Sequence, residues 1–283
     1  MFLFKKVKDL QRHLEMVRNK GGIIGFVPTM GALHQGHLSL IQQSNGHTNC
    51  TVASIFVNPT QFNDSSDLDK YPRTIGADID MLSSADNNVL FLPPVAEIYP
   101  KELDTKLSLD FGALANVMEG EFRPGHFDGM AQVVNRLLEI VQPHQLFMGQ
   151  KDFQQLTIVR SMLKQLNSSV ELKMCPIIRE ADGLAMSSRN RRLPEDHRKK
   201  AILLSQTLQA AKEMMNSHSP KEVIKLAMEK LDAPDFKPEY FSIVDGITLQ
   251  PVMRFEDSDF IVACTAVWLG EVRLIDNLVL KEV

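Results

Sequence analysis

Cysteine, tryptophan and tyrosine are scarce in this chain of 283 residues, which contains three, one and three of them. Cys50, Cys175 and Cys264 lie far apart, and none belongs to a Cys-x-x-Cys pair. An odd number of widely spaced cysteines argues against a disulfide framework and against a zinc knuckle. We therefore interpret all three as buried, reduced thiols.

Long hydrophobic segments are also absent. The longest late apolar run, residues 260–269, is bounded by Asp259 and Glu271, whereas a membrane-spanning helix needs about 20 apolar residues. The N-terminal segment has too few apolar residues for a signal peptide. We expect a cytoplasmic protein with no membrane partner.

The chain carries no strong charge of either sign, because its formal net charge is −4. The densest basic stretch, residues 189–200, is interrupted by Glu195 and Asp196, as is typical of a solvated face. Nothing in this balance indicates a nucleic-acid partner.

Two common nucleotide-binding fingerprints are missing. No Gly-x-Gly-x-x-Gly follows the first long apolar strand, and Gly-x-x-x-x-Gly-Lys-Ser/Thr occurs nowhere. These absences argue against a hydride-transfer enzyme and against a P-loop ATPase.

The most informative segment that is present covers residues 28–40. An apolar run at 23–27 predicts a strand that ends at Pro28, and a helix is expected to follow the glycines Gly31 and Gly36. His34 and His37 are three apart and so share one face at the start of that helix. Two imidazoles beside free helix N–H groups suit phosphate oxygens. A surface pair or a zinc pair is the alternative, although no nearby carboxylate or cysteine completes a zinc ligand set.

Apolar runs alternate with helical patterns through the first two thirds of the chain. The predicted strands cover residues 23–27, 52–57, 88–92, 145–148 and 170–178. Such alternation predicts an α/β fold, a Rossmann-like parallel sheet with ligands at the carboxyl ends of its strands.

The pattern changes after residue 190. Helical spacing over residues 201–215 is followed by a capping box from Ser219 to Glu222, with Pro220 at the first helical position, and then by short β-like runs. We predict a Rossmann-like nucleotide-binding domain over residues 1–184 and a smaller C-terminal α+β domain over residues 185–283.

Polar clusters also follow the predicted strands 52–57 and 145–148. Gln61 suits a hydroxylated substrate, whereas the nearby Asn58 is interpreted as a turn residue. Lys151 suits a phosphate, and Asp152 either caps the next helix or binds ribose or metal. Gln155 is expected to share the direction of Asp152.

Two further segments carry chemistry. The glycine-rich stretch 119–129 is either a mobile lid or only a connection. Ser187, Ser188 and Arg189 are a second set of candidate ligands for the phosphates of a triphosphate. No Gly-x-Ser-x-Gly surrounds the serines, which argues against a serine nucleophile.

Taken together, the motifs resemble the pantoate–β-alanine ligase family of the His-x-Gly-His nucleotidylyl-transferase superfamily. The matching blocks occur in the family's order over nearly the whole chain; they are Pro-Thr-Met-Gly-Ala-Leu-His-x-Gly-His at 28–37, Ser-Ile-Phe-Val-Asn-Pro-Thr-Gln-Phe at 54–62, Tyr-Pro-Arg-Thr at 71–74, Arg-Pro-Gly-His-Phe at 123–127, Gly-Gln-Lys-Asp-Phe-Gln-Gln at 149–155, Asp-Gly-Leu-Ala-Met-Ser-Ser-Arg-Asn at 182–190 and Arg-Leu-Ile-Asp-Asn at 273–277. One departure is Gln150, where the family frequently has Glu.

The resemblance implies an ATP-dependent ligase that condenses pantoate with β-alanine through a pantoyl-adenylate, releasing pyrophosphate and AMP. It implies that residues 1–184 bind ATP and pantoate and that residues 185–283 form a lid domain. It also implies Mg²⁺ on the triphosphate, with Asp78 as a candidate protein ligand, and a homodimer. The catalytic residues implied are His37, His34, Lys151 and Arg189, and Gln61 and Gln155 are the residues implied to bind pantoate and β-alanine. The implied ATP-binding residues are Met30, Gly31, Ala32, Leu33, His34, Gln35, Gly36, His37, Gly149, Gln150, Lys151, Asp152, Ile178, Met186, Ser187, Ser188 and Arg189.

Three alternatives remain open at this point. A nucleotidyltransferase of the same superfamily would leave AMP on its product. A small class I aminoacyl-tRNA synthetase would share the histidine pair, although no basic face is evident. A catalytically inactive ATP-binding module is the third, and the intact His34, His37, Lys151 and Arg189 argue against it.

Overall fold

The computed structural model describes residues 1–61 and 71–283, which separate into two compact units. The first unit comprises Met1–Phe111, Arg123–Gly149 and Ile158–Cys175, and the second comprises Gly112–Phe122, Gln150–Thr157 and Pro176–Val283. Compared with the split predicted from sequence, the second unit also includes 112–122, 150–157 and 176–184. Each unit is described by itself below.

The first unit contains a six-stranded parallel sheet with helices in its connections. The strands follow the order β1-β4-β3-β2-β5-β6. Their bounds are β1 Phe2–Phe4, β2 Ile24–Thr29, β3 Cys50–Ile55, β4 Val89–Phe91, β5 Gln145–Gly149 and β6 Glu171–Cys175. The helices are α1 Val7–Asn19, α2 Gln35–His47, α3 Ile75–Ser84, α4 Val95–Ile98 and α6 His126–Val141, together with the later part of α7 Phe153–Gln165.

The central strands β2 and β3 are buried along almost their whole length. Burial on both faces is typical of a parallel sheet with helices in its connections. A cluster of buried side chains, among them Leu33, Ile41 and Phe147, packs α2 against the sheet. This packing holds the start of α2 at the carboxyl end of β2.

Pro28 does not end its strand, which corrects the boundary expected from sequence. Strand β2 continues to Thr29, and Pro28 is opposite Ser54 of β3. On the other side, β5 pairs only with Gly25 and Phe26. A proline without an N–H is tolerated here because only one neighbouring strand remains at that level.

The second unit contains a three-stranded antiparallel sheet in the order β7-β8-β9. Its strands are β7 Phe236–Asp245, β8 Phe260–Leu269 and β9 Val272–Glu282, and its helices are α5 Glu119–Phe122, α8 Glu195–Lys200, α9 Leu203–Met214 and α10 Pro220–Leu231. Buried apolar residues of α9 and α10 form one core cluster with residues of the sheet. The two sheets confirm the predicted fold class, an α/β Rossmann-like fold with a smaller α+β part.

Most of these helices and strands agree with the predictions from sequence, but several were not predicted. The capping box of α10 is confirmed, since the Ser219 Oγ accepts from the Glu222 N–H and the Glu222 carboxylate accepts from the Ser219 N–H. Strand β1 and helix α3 had not been predicted. The stretch 119–129 is largely helical, because it contains α5 and the beginning of α6.

Candidate active site

The turn between β2 and α2 is the best-defined part of the candidate site in the first unit. Gly31 and Ala32 both have positive φ, 81° and 50°. A Cβ at Gly31 would lie 3.1 Å from the Asp78 Oδ2 and 3.1 Å from the Ile55 Cγ2, so both conformation and space favour glycine there. Ala32 adopts a left-handed conformation that is costly for a residue with a side chain. The turn must therefore be held by its surroundings.

Asp78 holds this turn in place. It is 1% exposed, and its carboxylate accepts hydrogen bonds from the Ala32 N–H at 3.0 Å and the Leu33 N–H at 2.8 Å. The Thr74 hydroxyl donates to the same carboxylate at 3.1 Å. A buried charge bound by successive backbone amides fixes the turn in one conformation. The role of Asp78 as a ligand of Mg²⁺, which the family resemblance implies, stays a prediction.

The two histidines form the cap of α2. The Nδ1 of His34 accepts from the Gly36 N–H at 3.2 Å, and the Nδ1 of His37 accepts from the His34 N–H at 3.3 Å. Their ring centroids are 4.2 Å apart. Because each Nδ1 acts as an acceptor, a neutral ring must carry its proton on Nε2. Each imidazole is therefore a hydrogen-bond donor through Nε2–H, next to the positive end of the helix dipole.

Gln61 ends a single 3₁₀ turn, Pro59–Gln61, after strand β3. Its Nε2 donates to the Met30 Sδ at 2.8 Å. The structure therefore brings together Gln61, which was predicted to bind pantoate and β-alanine, and Met30, which was predicted to bind ATP. The block that contains Gln61 continues to Phe62, which lies outside the described residues.

Asn58 is more than the turn residue that the sequence analysis assumed. It is 1% exposed, its Nδ2 donates to the Gly129 carbonyl at 3.2 Å, and its Oδ1 accepts from the Tyr99 hydroxyl at 3.0 Å. The Nδ1 of the buried His126 lies 3.1 Å from the Gln61 carbonyl. These contacts fix the backbone that carries Gln61, and no local pattern in the sequence indicated them.

A concave surface in the second unit carries three of the other residues that were predicted to bind phosphate. Lys151, Ser187 and Arg189 line one pocket, which Arg273 also lines. Lys151 lies in the 3₁₀ turn Gln150–Asp152, and Arg189 lies in the 3₁₀ segment Ser188–Arg192. A surface with the cationic side chains of Lys151 and Arg189 and the hydroxyl of Ser187 suits an anion such as a phosphate.

Ser187 has a local structural task. Its hydroxyl oxygen accepts from the Arg189 N–H at 3.2 Å and so caps the segment that carries Arg189. In the preceding loop, the Met186 N–H donates to the Ile178 carbonyl at 3.0 Å. The structure thus brings Ile178 next to the Ser-Ser-Arg segment. Gln155 is half-buried and Asp152 is exposed.

Arg273 is a pocket residue for which the sequence analysis gave no role. Its guanidinium donates to Glu119 through two bonds of 2.8 Å and to the Glu239 carboxylate at 2.8 Å. Burial by itself lowers the pKa of Arg273, but the hydrogen bonds to Glu119 and then Glu239 raise it above its ordinary value. Both carboxylates have further donors, from Tyr240 and Trp268. The only sequence signal was the motif at 273–277.

Neither a membrane segment nor a clustered metal site is evident in the described part of the chain. Within residues 1–61 and 71–283, no helix is long and apolar enough to cross a bilayer. Over the same residues, no group of three His, Cys, Asp or Glu side chains is arranged to hold a metal ion.

Comparison with known proteins identifies the family. The family model described as pantoate-beta-alanine ligase matches residues 2–279. Pantothenate synthetase of Bacteroides thetaiotaomicron is 49% identical over 284 residues, covering 100% of both chains. The crystal structure of pantothenate synthetase from Thermus thermophilus has a TM-score of 0.92 at 40% identity, covering 99% of this chain and 100% of that one.

A third relative was solved with ligands. Pantoate-beta-alanine ligase from Francisella tularensis, complexed with beta-gamma ATP and beta-alanine, has a TM-score of 0.74 at 33% identity and covers 99% of this chain and 98% of that one. A family match over almost the entire chain, together with relatives of this identity and coverage, establishes the assignment. The chain belongs to the pantoate–β-alanine ligase family of enzymes.

Proposed function

We propose that this protein makes pantothenate by joining pantoate to β-alanine at the expense of ATP, through a pantoyl-adenylate. The family assignment supports the overall reaction, and the Francisella relative, which was solved with an ATP compound and β-alanine, supports both ligands. The observation in this chain that carries the proposal is the pair of imidazoles at the start of α2, each with its Nδ1 bound to a backbone N–H.

In the first step, a pantoate carboxylate oxygen attacks the α-phosphorus of ATP. The bond between that phosphorus and the bridging oxygen to the β-phosphate breaks, and pyrophosphate leaves with the bonding electrons. Negative charge grows on the phosphate oxygens, so donors fixed before the reaction lower the barrier. We assign this task to the Nε2–H groups of His34 and His37, with His37 as the general acid.

The cationic surface of the second unit contributes charge to the same step. We propose that Lys151 and Arg189 bind the phosphates as permanent cations, and that the Ser187 and Ser188 segment supplies hydroxyl and backbone donors. Residues 149–152, Ile178 and Met186 bind the nucleotide. Fixed cations of this kind stabilise the charge that develops on the leaving pyrophosphate.

In the second step, the amine of β-alanine attacks the acyl carbon of pantoyl-adenylate. The bond from that carbon to the phosphate oxygen breaks, AMP leaves, and the amine loses a proton as the amide forms. Gln61 and Gln155 are proposed to bind pantoate and β-alanine, because an amide side chain both donates to and accepts from hydroxyl and carboxylate groups. The Gln61 backbone is held by His126, which suits a residue that must orient a substrate.

Mg²⁺ is proposed to arrive on the triphosphate, where it supplies positive charge to the phosphate oxygens. The residues fit this role rather than a protein-held ion, because the Asp78 carboxylate already accepts two backbone N–H groups and the Thr74 hydroxyl. Mg²⁺ usually binds through substrate phosphates and few carboxylates.

The domain roles, the assembly and the compartment are proposals as well. Residues 1–184 are proposed to bind ATP and pantoate, and residues 185–283 to act as a smaller lid domain. The family resemblance supports a homodimer and a cytoplasmic location. Sedimentation equilibrium over a range of protein concentrations tests the dimer, and a single species at 31.9 kDa would contradict it.

Product analysis tests the proposed reaction. Purified protein incubated with ATP, Mg²⁺, pantoate and β-alanine should form pantothenate, AMP and pyrophosphate in equal amounts. Formation of ADP and inorganic phosphate would contradict adenylation. A product that retains AMP when β-alanine is present would instead support a nucleotidyltransferase.

A further inference from the structure

The motif at residues 273–277 is part of the family resemblance, but the reaction scheme gives it no task. It lies in strand β9, and Asp276 and Asn277 are each 2% exposed. We propose that Asp276 and Asn277 are positioning residues, which hold the two phosphate-binding segments of the second unit, 150–152 and 179–189. This inference rests on the proposed function, because it requires Lys151 and Arg189 to act on phosphates.

Asn277 binds the backbone of the Lys151 segment directly. Its Nδ2 donates to the Gln150 carbonyl at 3.0 Å and to the Lys151 carbonyl at 2.9 Å. Its Oδ1 accepts from the Gln150 Nε2 at 3.0 Å. Two carbonyl partners require a donor, so they fix the orientation of the amide. Asn277 therefore makes three hydrogen bonds with two consecutive residues of the segment.

Asp276 binds the other segment through Arg179. The Arg179 guanidinium donates to the Asp276 carboxylate at 2.7 and 3.1 Å, to the Asn277 carbonyl at 3.3 Å, and to the Gly183 carbonyl at 3.1 Å. Arg179 also pairs with Ala185 in an isolated β-bridge. The loop that leads into Ser187 is thus closed by one arginine and tied to β9.

The loop continues through a second amide into the Arg189 segment. The Asn190 Nδ2 donates to the Ala185 carbonyl at 3.0 Å, and the Asn190 N–H donates to the Ser187 carbonyl at 3.0 Å. A continuous set of hydrogen bonds therefore leads from Asp276 through Arg179 and the loop to the residues beside Arg189. The contacts with the Lys151 segment and those with the Arg189 segment thus start from adjacent residues of β9, Asn277 and Asp276.

The electrostatic state of Asp276 agrees with this role. Burial raises the pKa of its carboxyl, and Arg179 and, more weakly, Lys151 oppose that rise. Desolvating a carboxylate is costly, and a well-packed apolar residue often serves stability equally well or better. A buried ion pair at the base of a binding loop is better explained by the geometry that it imposes than by the stability that it adds.

A double-mutant cycle tests whether Asn277 acts through Lys151. The variants are Asn277→Ala, Lys151→Ala and the double variant, and the readout is the rate of pyrophosphate release from ATP, Mg²⁺ and pantoate. We expect Asn277→Ala to slow this step about 10- to 100-fold, since a small misplacement of a binding group has effects of this size. The double variant should be no slower than Lys151→Ala within about threefold, because contacting residues are not additive.

Thr265→Val is the matched control. Thr265 lies opposite Asp276 on β8, is fully buried, and donates its hydroxyl to the Tyr240 carbonyl at 2.9 Å. This variant also removes a buried hydrogen bond of the same sheet but leaves residues 150–152 untouched. It should lower the thermal midpoint while the folded protein keeps the wild-type rate. Asn277→Ser, which keeps one donor, is used if Asn277→Ala does not fold.

Each outcome supports or overturns a defined statement. If Lys151→Ala is slow and the losses of the two single variants multiply in the double variant, Asn277 does not act through Lys151 and the inference is wrong. A wild-type rate for the folded Asn277 variants also contradicts it. If Lys151→Ala itself has the wild-type rate, the proposed role of Lys151 is wrong, and the inference fails with it.

Discussion

The two regions proposed to bind phosphate are built in different ways, although both carry groups that can donate to an anion. In the first unit, residues 30–37 rely on a left-handed turn, the start of a helix and two histidines that cap it. In the second unit, Arg189 lies in the short 3₁₀ segment Ser188–Arg192, and Lys151 lies in the 3₁₀ turn Gln150–Asp152, which leads directly into α7. The first region offers the N–H groups and the dipole of a helix N-terminus to an anion, whereas the second offers cationic side chains.

The external supports differ accordingly. The first region needs one buried carboxylate, Asp78, which binds two backbone N–H groups. The second region needs donors and an ion pair from β9, where Asn277 binds backbone carbonyls and Asp276 binds Arg179. An acceptor, the Asp78 carboxylate, thus holds the backbone N–H groups of the first region, whereas the Asn277 amide donates to the backbone carbonyls of the Lys151 segment.

Replacing His37 should have the largest effect on the first region. His37→Ala removes an Nε2–H donor and the acceptor for the His34 N–H, so we expect adenylation to slow about 100- to 1000-fold. His47→Ala is the matched control, because His47 is exposed in the last turn of the same helix. Stopped-flow detection of pyrophosphate gives both rates, and equal rates for the two variants would contradict the assignment of His37.

Replacing Asp78 should have an intermediate effect and tests the support of that region. In Asp78→Asn an amide nitrogen faces a backbone N–H, which leaves a buried donor unsatisfied at a cost of about 1–3 kcal/mol. We expect a lower thermal midpoint and a rate of adenylation that is about 10-fold slower. Asp80→Asn, an exposed position on the same helix, should change neither.

The same variant separates the two roles of Asp78. If the carboxylate only holds the turn, raising the Mg²⁺ concentration leaves the Asp78→Asn rate unchanged. If it ligates the metal, excess Mg²⁺ restores the rate toward wild type. A magnesium titration of the pyrophosphate rate distinguishes these outcomes.

The sequence indicated the first region better than the second for a physical reason. The imidazole pair and the following helix are local, so their spacing of three residues already predicts a shared face. Asp78 lies 45 and 46 residues from its partners, and Asn277 lies 126 and 127 residues from the carbonyls that it binds. Such contacts depend on how strands and loops are arranged in three dimensions, and no local periodicity encodes them.

The misplaced strand boundary has a similar origin. Proline ordinarily ends a ladder, but Pro28 lies where β2 keeps β3 as a neighbour while its pairing with β5 is already over. Which neighbours a strand has at a given residue is a property of the sheet. The capping box of α10, by contrast, was correctly predicted because its two partners are three residues apart.

The smallest expected effect is the reaction of the native cysteines with an alkylating reagent, because the cysteines belong to neither region. Cys50 and Cys175 lie in the first unit and Cys264 in the second, and all three are buried. Burial raises the pKa of the Cys175 thiol to about 11, and it also raises the pKa of Cys50 and Cys264. At pH 8 the thiols therefore stay protonated and unreactive. Alkylation followed by mass spectrometry should label none of them in the native protein and all of them in urea.

Rapid native labelling of Cys264 with slow labelling of Cys50 and Cys175 would contradict this expectation. It would mean that the core of the second unit opens more readily than that of the first. The two units would then differ in stability as well as in how their binding regions are held.

The most direct measurement of the proposed two-step reaction is a single-turnover experiment without β-alanine. Enzyme is mixed rapidly with ATP, Mg²⁺ and pantoate, and pyrophosphate and acid-stable AMP are followed separately. We predict a burst of about one pyrophosphate per active site with no matching AMP, and then steady AMP and pantothenate once β-alanine is added. Absence of pantoate-dependent pyrophosphate from folded protein that binds ATP would contradict the pantoyl-adenylate intermediate.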